Sequence, residues 1–234
     1  MSDISNVQVI SLGGSLIVPD DVDVDFLSSF YRTIDSYLSE DQSRRIILVC
    51  GGGASARRYQ KAYRDVAAKA QIDSEDWIGI AATRLNSELL KHVFVKYCLH
   101  PVVTNPTAVS VFPGRVMIAS GWKPGFSTDY DAVILAEKFS ADSVINLSNI
   151  AKVFTDDPKT NPGAEPIDRI SWSGFREIVG DMWIPGRNVP FDPVAARHAS
   201  EIKLKVIVAL GRDMAILSNI LAGKDFEGTI IGPD

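Results

Sequence analysis

Val7-Gln8-Val9-Ile10-Ser11-Leu12-Gly13-Gly14-Ser15 and Ile46-Ile47-Leu48-Val49-Cys50-Gly51-Gly52-Gly53 follow one pattern: an apolar run that drops straight into glycines. A short continuous apolar run bounded by glycine reads as a fully buried strand. Buried strands of this kind belong to mainly parallel sheets covered on both faces by helices. In such sheets ligands sit beyond the carboxyl ends of the strands, which is where both glycine turns fall. Glycine has no Cβ, so backbone N–H groups there can approach a ligand closely. A helix after the second turn would add the positive end of its dipole. Phosphate suits this arrangement best. Two such turns point to a polyphosphate, or to two phosphorylated molecules held between strand ends.

The rest of the chain keeps the alternation. Helices are expected over residues 25–38, 54–70, 77–97, 131–139, 172–178, 193–202 and 214–222. Strands are expected at 102–104, 116–119, 143–147, 205–210 and 229–231. The expected fold is α/β, a three-layer αβα sandwich around a mainly parallel sheet. Two proline-rich stretches, 158–166 and 185–193, read as loops with a functional use rather than as linkers.

Composition narrows the function. Of 234 residues, 46% are hydrophobic, enough for a substantial core, and the net charge is −5. A nucleic-acid surface is normally basic, so nucleic acid is not expected as the partner. The two cysteines, Cys50 and Cys98, are isolated, which fits a reduced compartment and provides no thiolate metal cluster. Residues 1–6 have neither the basic start nor the apolar stretch of a signal peptide, and no run is long enough to span a bilayer. A cytoplasmic protein is therefore expected. His92, His100 and His198 show no metal-ligand spacing, and no protein-bound metal is expected.

Single motifs remain ambiguous. Gly13-Gly14-Ser15 is neither a Walker loop nor a Rossmann fingerprint, and a tight turn would look the same. Gly51-Gly52-Gly53 is stronger, because Arg57 lies one helical turn further on and its planar fork suits phosphate oxygens. Arg58, Lys61 and Arg64 extend the basic character, as a solvated helix face also would. Asp76 reads as a helix cap, with a ligand-hydroxyl acceptor as the alternative. Trp122-Lys123-Pro124-Gly125-Phe126-Ser127-Thr128-Asp129 joins a strand to a helix, offering hydroxyls, a cap and a lysine near the other strand ends. Phe154-Thr155-Asp156-Asp157-Pro158 is either an acidic loop that faces a nucleotide or holds its metal ion, or a proline-terminated turn.

Taken in order, these segments resemble the amino acid kinase superfamily and, within it, UMP kinases of the archaeal type. The resemblance runs from Leu12-Gly13-Gly14-Ser15 through Gly51-Gly52-Gly53 with Arg57 and Asp76-Trp77-Ile78-Gly79-Ile80 with Thr83-Arg84. It continues through 124–129 and 153–158 to Asp192-Pro193-Val194-Ala195-Ala196. It implies one amino acid kinase domain, with an acceptor-binding part over about 1–140 and an ATP-binding part over about 141–234. It also implies Mg²⁺ with ATP, and assembly as a homohexamer.

By position, the resemblance assigns ATP to Ser11, Leu12, Gly13, Gly14, Gly53, Arg57, Ser148, Phe154 and Asp157. It assigns UMP to Gly52, Asp76 and the run Trp122, Lys123, Pro124, Gly125, Phe126, Ser127, Thr128, Asp129. Gly13, Gly14, Arg57, Asp192 and Lys152 are the catalytic candidates. The chain departs from the family pattern in three places, the mildest being Ser127-Thr128-Asp129 where the family has Thr-Thr-Asp. Ser11 stands where bacterial members carry lysine, and Ala151-Lys152 stands where the family has Asp-Gly; Lys152 is the candidate replacement cation. Three readings follow: a UMP kinase, a relative acting on another small acceptor (isopentenyl phosphate, a carbamate or acetylglutamate), and a nucleotide-binding protein without chemistry.

Overall fold

The computed structural model describes residues 6–158, 160–180 and 189–233. Nine strands are described: β1 (Val7–Leu12), β2 (Arg45–Cys50), β3 (Val116–Ala119), β4 (Ser143–Ser148), β5 (Val153–Phe154), β6 (Pro166–Ile167), β7 (Arg169–Ser171), β8 (Lys205–Leu210) and β9 (Thr229–Gly232). Eight helices accompany them: α1 (Gly14–Ile17), α2 (Val24–Glu40), α3 (Gly53–Val66), α4 (Ile72–Val93), α5 (Thr128–Lys138), α6 (Trp172–Val179), α7 (Pro193–Glu201) and α8 (Met214–Leu221).

Seven strands form one sheet in the order β3-β2-β1-β4-β8-β9-β7. All neighbouring pairs are parallel except β8 with β9. Alternate residues along a strand point to opposite faces, which divides the core in two. Val9, Ile47, Val49, Val144 and Val206 pack with α5, α6 and α7. Ile10, Leu12, Leu48, Ile145 and Leu147 pack with α2, α8 and the end of α4. The three-layer expectation is met.

The helices form where apolar spacing and capping agree. Asp23 caps α2 by accepting the Phe26 N–H at 2.9 Å, and Phe30, Ile34 and Leu38 lie fully buried along one stripe. Each such side chain contributes about 1.5–3 kcal/mol by leaving water. Packing also decides where helices stop. The helix expected over 54–70 ends at Val66, because Val66, Ala68, Lys69 and Ala70 are exposed and bury nothing. The helix expected from Trp77 begins five residues earlier, at Ile72, and ends at Val93. The strand expected at 102–104 reduces to a single bridge between Val103 and Ala119. The 158–166 stretch connects the antiparallel pair β5–β6. The first four residues of the loop expected at 185–193, up to residue 188, lie outside the described residues, as do residues 1–5 of the N-terminal reading.

The reversal at β9 matters for the site. Because β9 runs against β8 and β7 runs with β9, the beginnings of β7 and β9 lie at the sheet edge where β1, β2, β4 and β8 end.

Candidate functional site

The two glycine turns meet at this edge. Gly13 donates its N–H to Leu147 O at 2.8 Å, and Gly51 donates to Leu12 O at 2.9 Å. The turns then press together backbone to backbone. A Cβ on Gly14 would lie 2.1 Å from Gly53 N, 2.5 Å from Gly51 C and 2.6 Å from Gly52 N. Gly53 has φ +64°, a left-handed conformation that glycine adopts without strain. The glycines are thus required first by their mutual contact. The N–H groups of Gly13 and Gly51 are committed to strand ends, whereas those of Gly14, Gly52 and Gly53 have no partner among the described residues. These three, not all five, form the backbone donor set.

Charge is distributed unevenly around the clasp. Arg57, exposed on α3, makes one long contact of 3.4 Å to Pro19 O. Its neighbour Arg58 is paired with Asp20 at 3.1 Å. Ser11 is buried at the end of β1 and donates its hydroxyl to Asp129 Oδ1 at 2.8 Å. The other Asp129 oxygen accepts the Asp192 N–H at 3.3 Å. Asp192 caps α7 through Ala195 N at 2.7 Å. Burial, with the Asp192 charge adding to it, pushes the Asp129 carboxyl up to about 6. Asp192 is raised as well, chiefly by burial. Lys152 holds the exposed carboxylate of Asp168 at 2.6 Å on the same sheet edge, which raises its ammonium above the usual lysine range.

Beside the second glycine turn lies a cleft of about 260 Å³. Gly52, Asp76, Phe126, Ser127 and Thr128 line it, five of the ten residues assigned to the acceptor. Asp129 lies behind it on Ser11. Lys123 is held over the rings of Trp122 and Phe126, at 4.0 and 4.9 Å from their centroids. Gln60, Gly79, Ile80 and Thr83 also line the cleft and were given no role from sequence. For Gly79, Ile80 and Thr83 the signal was present, since all three stand in the motif that carried the resemblance.

Helix α4 organises this wall. Asp76 is not a cap: α4 begins at Ile72 after Gln71, and Asp76 Oδ2 accepts the Gly125 N–H at 2.9 Å. Acidic residues early in a helix are stabilised by its dipole without capping it, so the sequence pattern is the same for both roles. Further along, Thr83 Oγ1 accepts the Gly121 N–H at 2.9 Å, and Asn86 donates to Gly51 O at 2.8 Å. One helix therefore holds the second glycine turn and both ends of the 121–125 loop.

Three of the residues assigned to ATP, Ser148, Phe154 and Asp157, lie on the opposite side of the clasp. Ser148 ends β4, with its hydroxyl accepting from Ile150 N at 3.1 Å. Phe154 lies in β5, and Asp157 in the turn that follows. Asn149 reaches the Ser15 hydroxyl at 3.1 Å and so ties this side to the first turn. Among the described residues, no group of three or more His, Cys, Asp or Glu is placed to hold a metal ion. No described helix is long and apolar enough to cross a membrane.

The profile of the amino acid kinase family matches residues 6–209. The uridylate kinase of Methanocorpusculum labreanum is 33% identical over 228 residues, spanning 96% of this chain and 94% of that protein. That of Thermoplasma volcanium is 35% identical, spanning 92% and 93%. The crystal structure of uridylate kinase from Archaeoglobus fulgidus superposes with a TM-score of 0.81 at 33% identity, covering 97% and 99% of the two chains. The UMP kinase structure from Bacillus anthracis, at 20% identity and a TM-score of 0.75, shares the fold.

Proposed function

The chain belongs to the amino acid kinase family, and from that premise we propose that it transfers the γ-phosphoryl group of ATP to UMP, giving ADP and UDP in pyrimidine nucleotide biosynthesis. The observation that carries this reading is the clasp. Two glycine turns in backbone contact have one acceptor-sized cleft beside the second turn, with the ATP-assigned segments beyond the first.

Phosphoryl transfer needs two anions brought into line and their charge offset; little covalent chemistry falls to the protein. The phosphate of UMP is already anionic near neutral pH, so no general base is required. The free N–H groups of Gly14, Gly52 and Gly53 point donors at the transferring group, and Arg57 supplies a mobile bidentate cation. Lys152 contributes by exchanging Asp168 for a phosphate oxygen. Ser11 fills the lysine position as a neutral donor that orients Asp129. Mg²⁺ would arrive with the triphosphate. When bound, it would offset the negative charge of the triphosphate. The part at about 1–140 holds UMP and the part at about 141–234 holds ATP. A cytoplasmic homohexamer completes the reading.

The test is a coupled ADP-release assay with Mg-ATP and UMP, CMP, dUMP, isopentenyl phosphate or acetylglutamate as acceptor. Turnover with UMP is expected. Turnover with another acceptor alone, or none alongside measurable ATP binding, refutes the reading.

A further inference from the structure

Asp131 stands out in the molecule's interior. Helix α5 buries Asp131, Ala132, Val133, Leu135 and Ala136, a row in which Asp131 is the sole polar member. Its exposure is 0%. Oδ2 accepts the Trp122 N–H at 3.1 Å, and Oδ1 has no hydrogen-bond partner among the described residues. Burial pushes its carboxyl up to about 7, with nearby Asp129 adding to the effect. A buried carboxyl with an open acceptor destabilises a fold, and an apolar side chain would suit this row better. Violations of this kind concentrate at functional sites, where the local loss is offset by a gain elsewhere.

The gain lies at the cleft. Trp122 opens the loop that leaves β3, and its ring stacks on Phe126 with centroids 5.4 Å apart. Phe126 lines the cleft and stacks in turn on Tyr130 at 4.7 Å. Two consecutive N–H groups, of Gly121 and Trp122, are thereby pinned from opposite sides, by Thr83 of α4 and Asp131 of α5.

We propose that Asp131 is a positioning residue for the acceptor, holding the Trp122–Phe126 wall of the cleft at the expense of the core. The role rests on the cleft being the UMP site.

Asp131→Leu and Asp131→Asn test it. With Leu, the KM for UMP is expected to rise about tenfold, one hydrogen bond's worth. The KM for ATP should stay within about twofold, and the melting temperature should hold or rise. With Asn, which keeps an acceptor for Trp122 N–H, the KM for UMP should return to within about threefold of the parent. An unchanged KM for UMP in the Leu variant overturns the proposal. So does a fall in melting temperature with both KM values moving together, which is plain core damage. The Trp122 backbone amide gives a readout free of substrate: its ¹H shift should move upfield in the Leu variant and be retained with Asn. Wild-type protein that turns over no UMP defeats the functional reading instead. The amide shift then decides the positioning role alone, and an unmoved amide overturns it.

Discussion

Replacing Gly14 by alanine should open the clasp between the two turns. The new Cβ would lie 2.1, 2.5 and 2.6 Å from Gly53 N, Gly51 C and Gly52 N. All three are backbone atoms, so no side chain can swing aside. Ordinary contact begins near 3.4 Å, so the turns must part by about 1 Å. Overpacking a well-filled interior costs about 1–3 kcal/mol, and a clash with backbone alone belongs at the upper end. In a chain of this size 1 kcal/mol moves the melting temperature by about 2–4 °C, so a fall of roughly 6–12 °C is expected. A misplacement of about 1 Å between reacting groups costs roughly 100-fold in rate, and kcat with UMP should drop accordingly. Gly125→Ala is the control. Nothing lies within 4 Å of its Cβ position, and its φ of +82° leaves only local strain, about 1–2 kcal/mol. Calorimetric melting and the coupled assay measure both effects. A Gly14→Ala protein that melts within about 2 °C of the parent and keeps its kcat would refute the reasoning.

Three further outcomes are expected. Arg57→Ala should lower kcat/KM about 100-fold with no change in melting temperature, since its guanidinium is exposed and, among the described residues, bonded only at 3.4 Å. Arg58→Ala, which breaks a surface pair with Asp20, should leave turnover near wild type, and the reverse ranking would exclude Arg57 from the site. Lys152→Ala should lower kcat while leaving the KM for UMP in place; unchanged turnover removes Lys152 from the mechanism. Stability should fall as pH rises from about 4 to 7, because Asp129 and Asp131, at about 6 and 7, bind protons more tightly folded than unfolded. Their contribution is complete below the unfolded value near 3.8 and is lost through the folded values. Urea titrations at pH 5 and 8 should show the lower stability at pH 8. Asp131→Asn should reduce that difference, and an unchanged slope in the variant would contradict the assignment.

The fold was legible because its signals are local. Apolar runs ending in glycine, and helices between them, identified the layers and the working edge. What escaped were relations between distant residues. Ser11 meets Asp129 across 118 positions, and Asp76 meets Gly125 across 49. A carboxylate near a helix start has the same sequence pattern whether it caps the helix or reaches out of it. The reversed direction of β9 leaves no periodic mark, because a short apolar strand reads alike either way. The candidate site residues could be read as an ordered set of motifs, with Thr83 among them, whereas Asn86 and Asp131, which hold the surrounding backbone, carry no signal of their own in the chain.

The tethers of α4 have an evolutionary consequence. Asp76, Thr83, Asn86 and Ser87 grip Gly125 N, Gly121 N, Gly51 O and Ala119 O, main-chain atoms in every case. None of these grips reads a side chain of the segment it holds. Substitutions at the lining residues Phe126 and Thr128 therefore leave these four anchors in place. On the proposed reading of the cleft, acceptor preference is thus free to drift in this architecture without the scaffold having to be rebuilt.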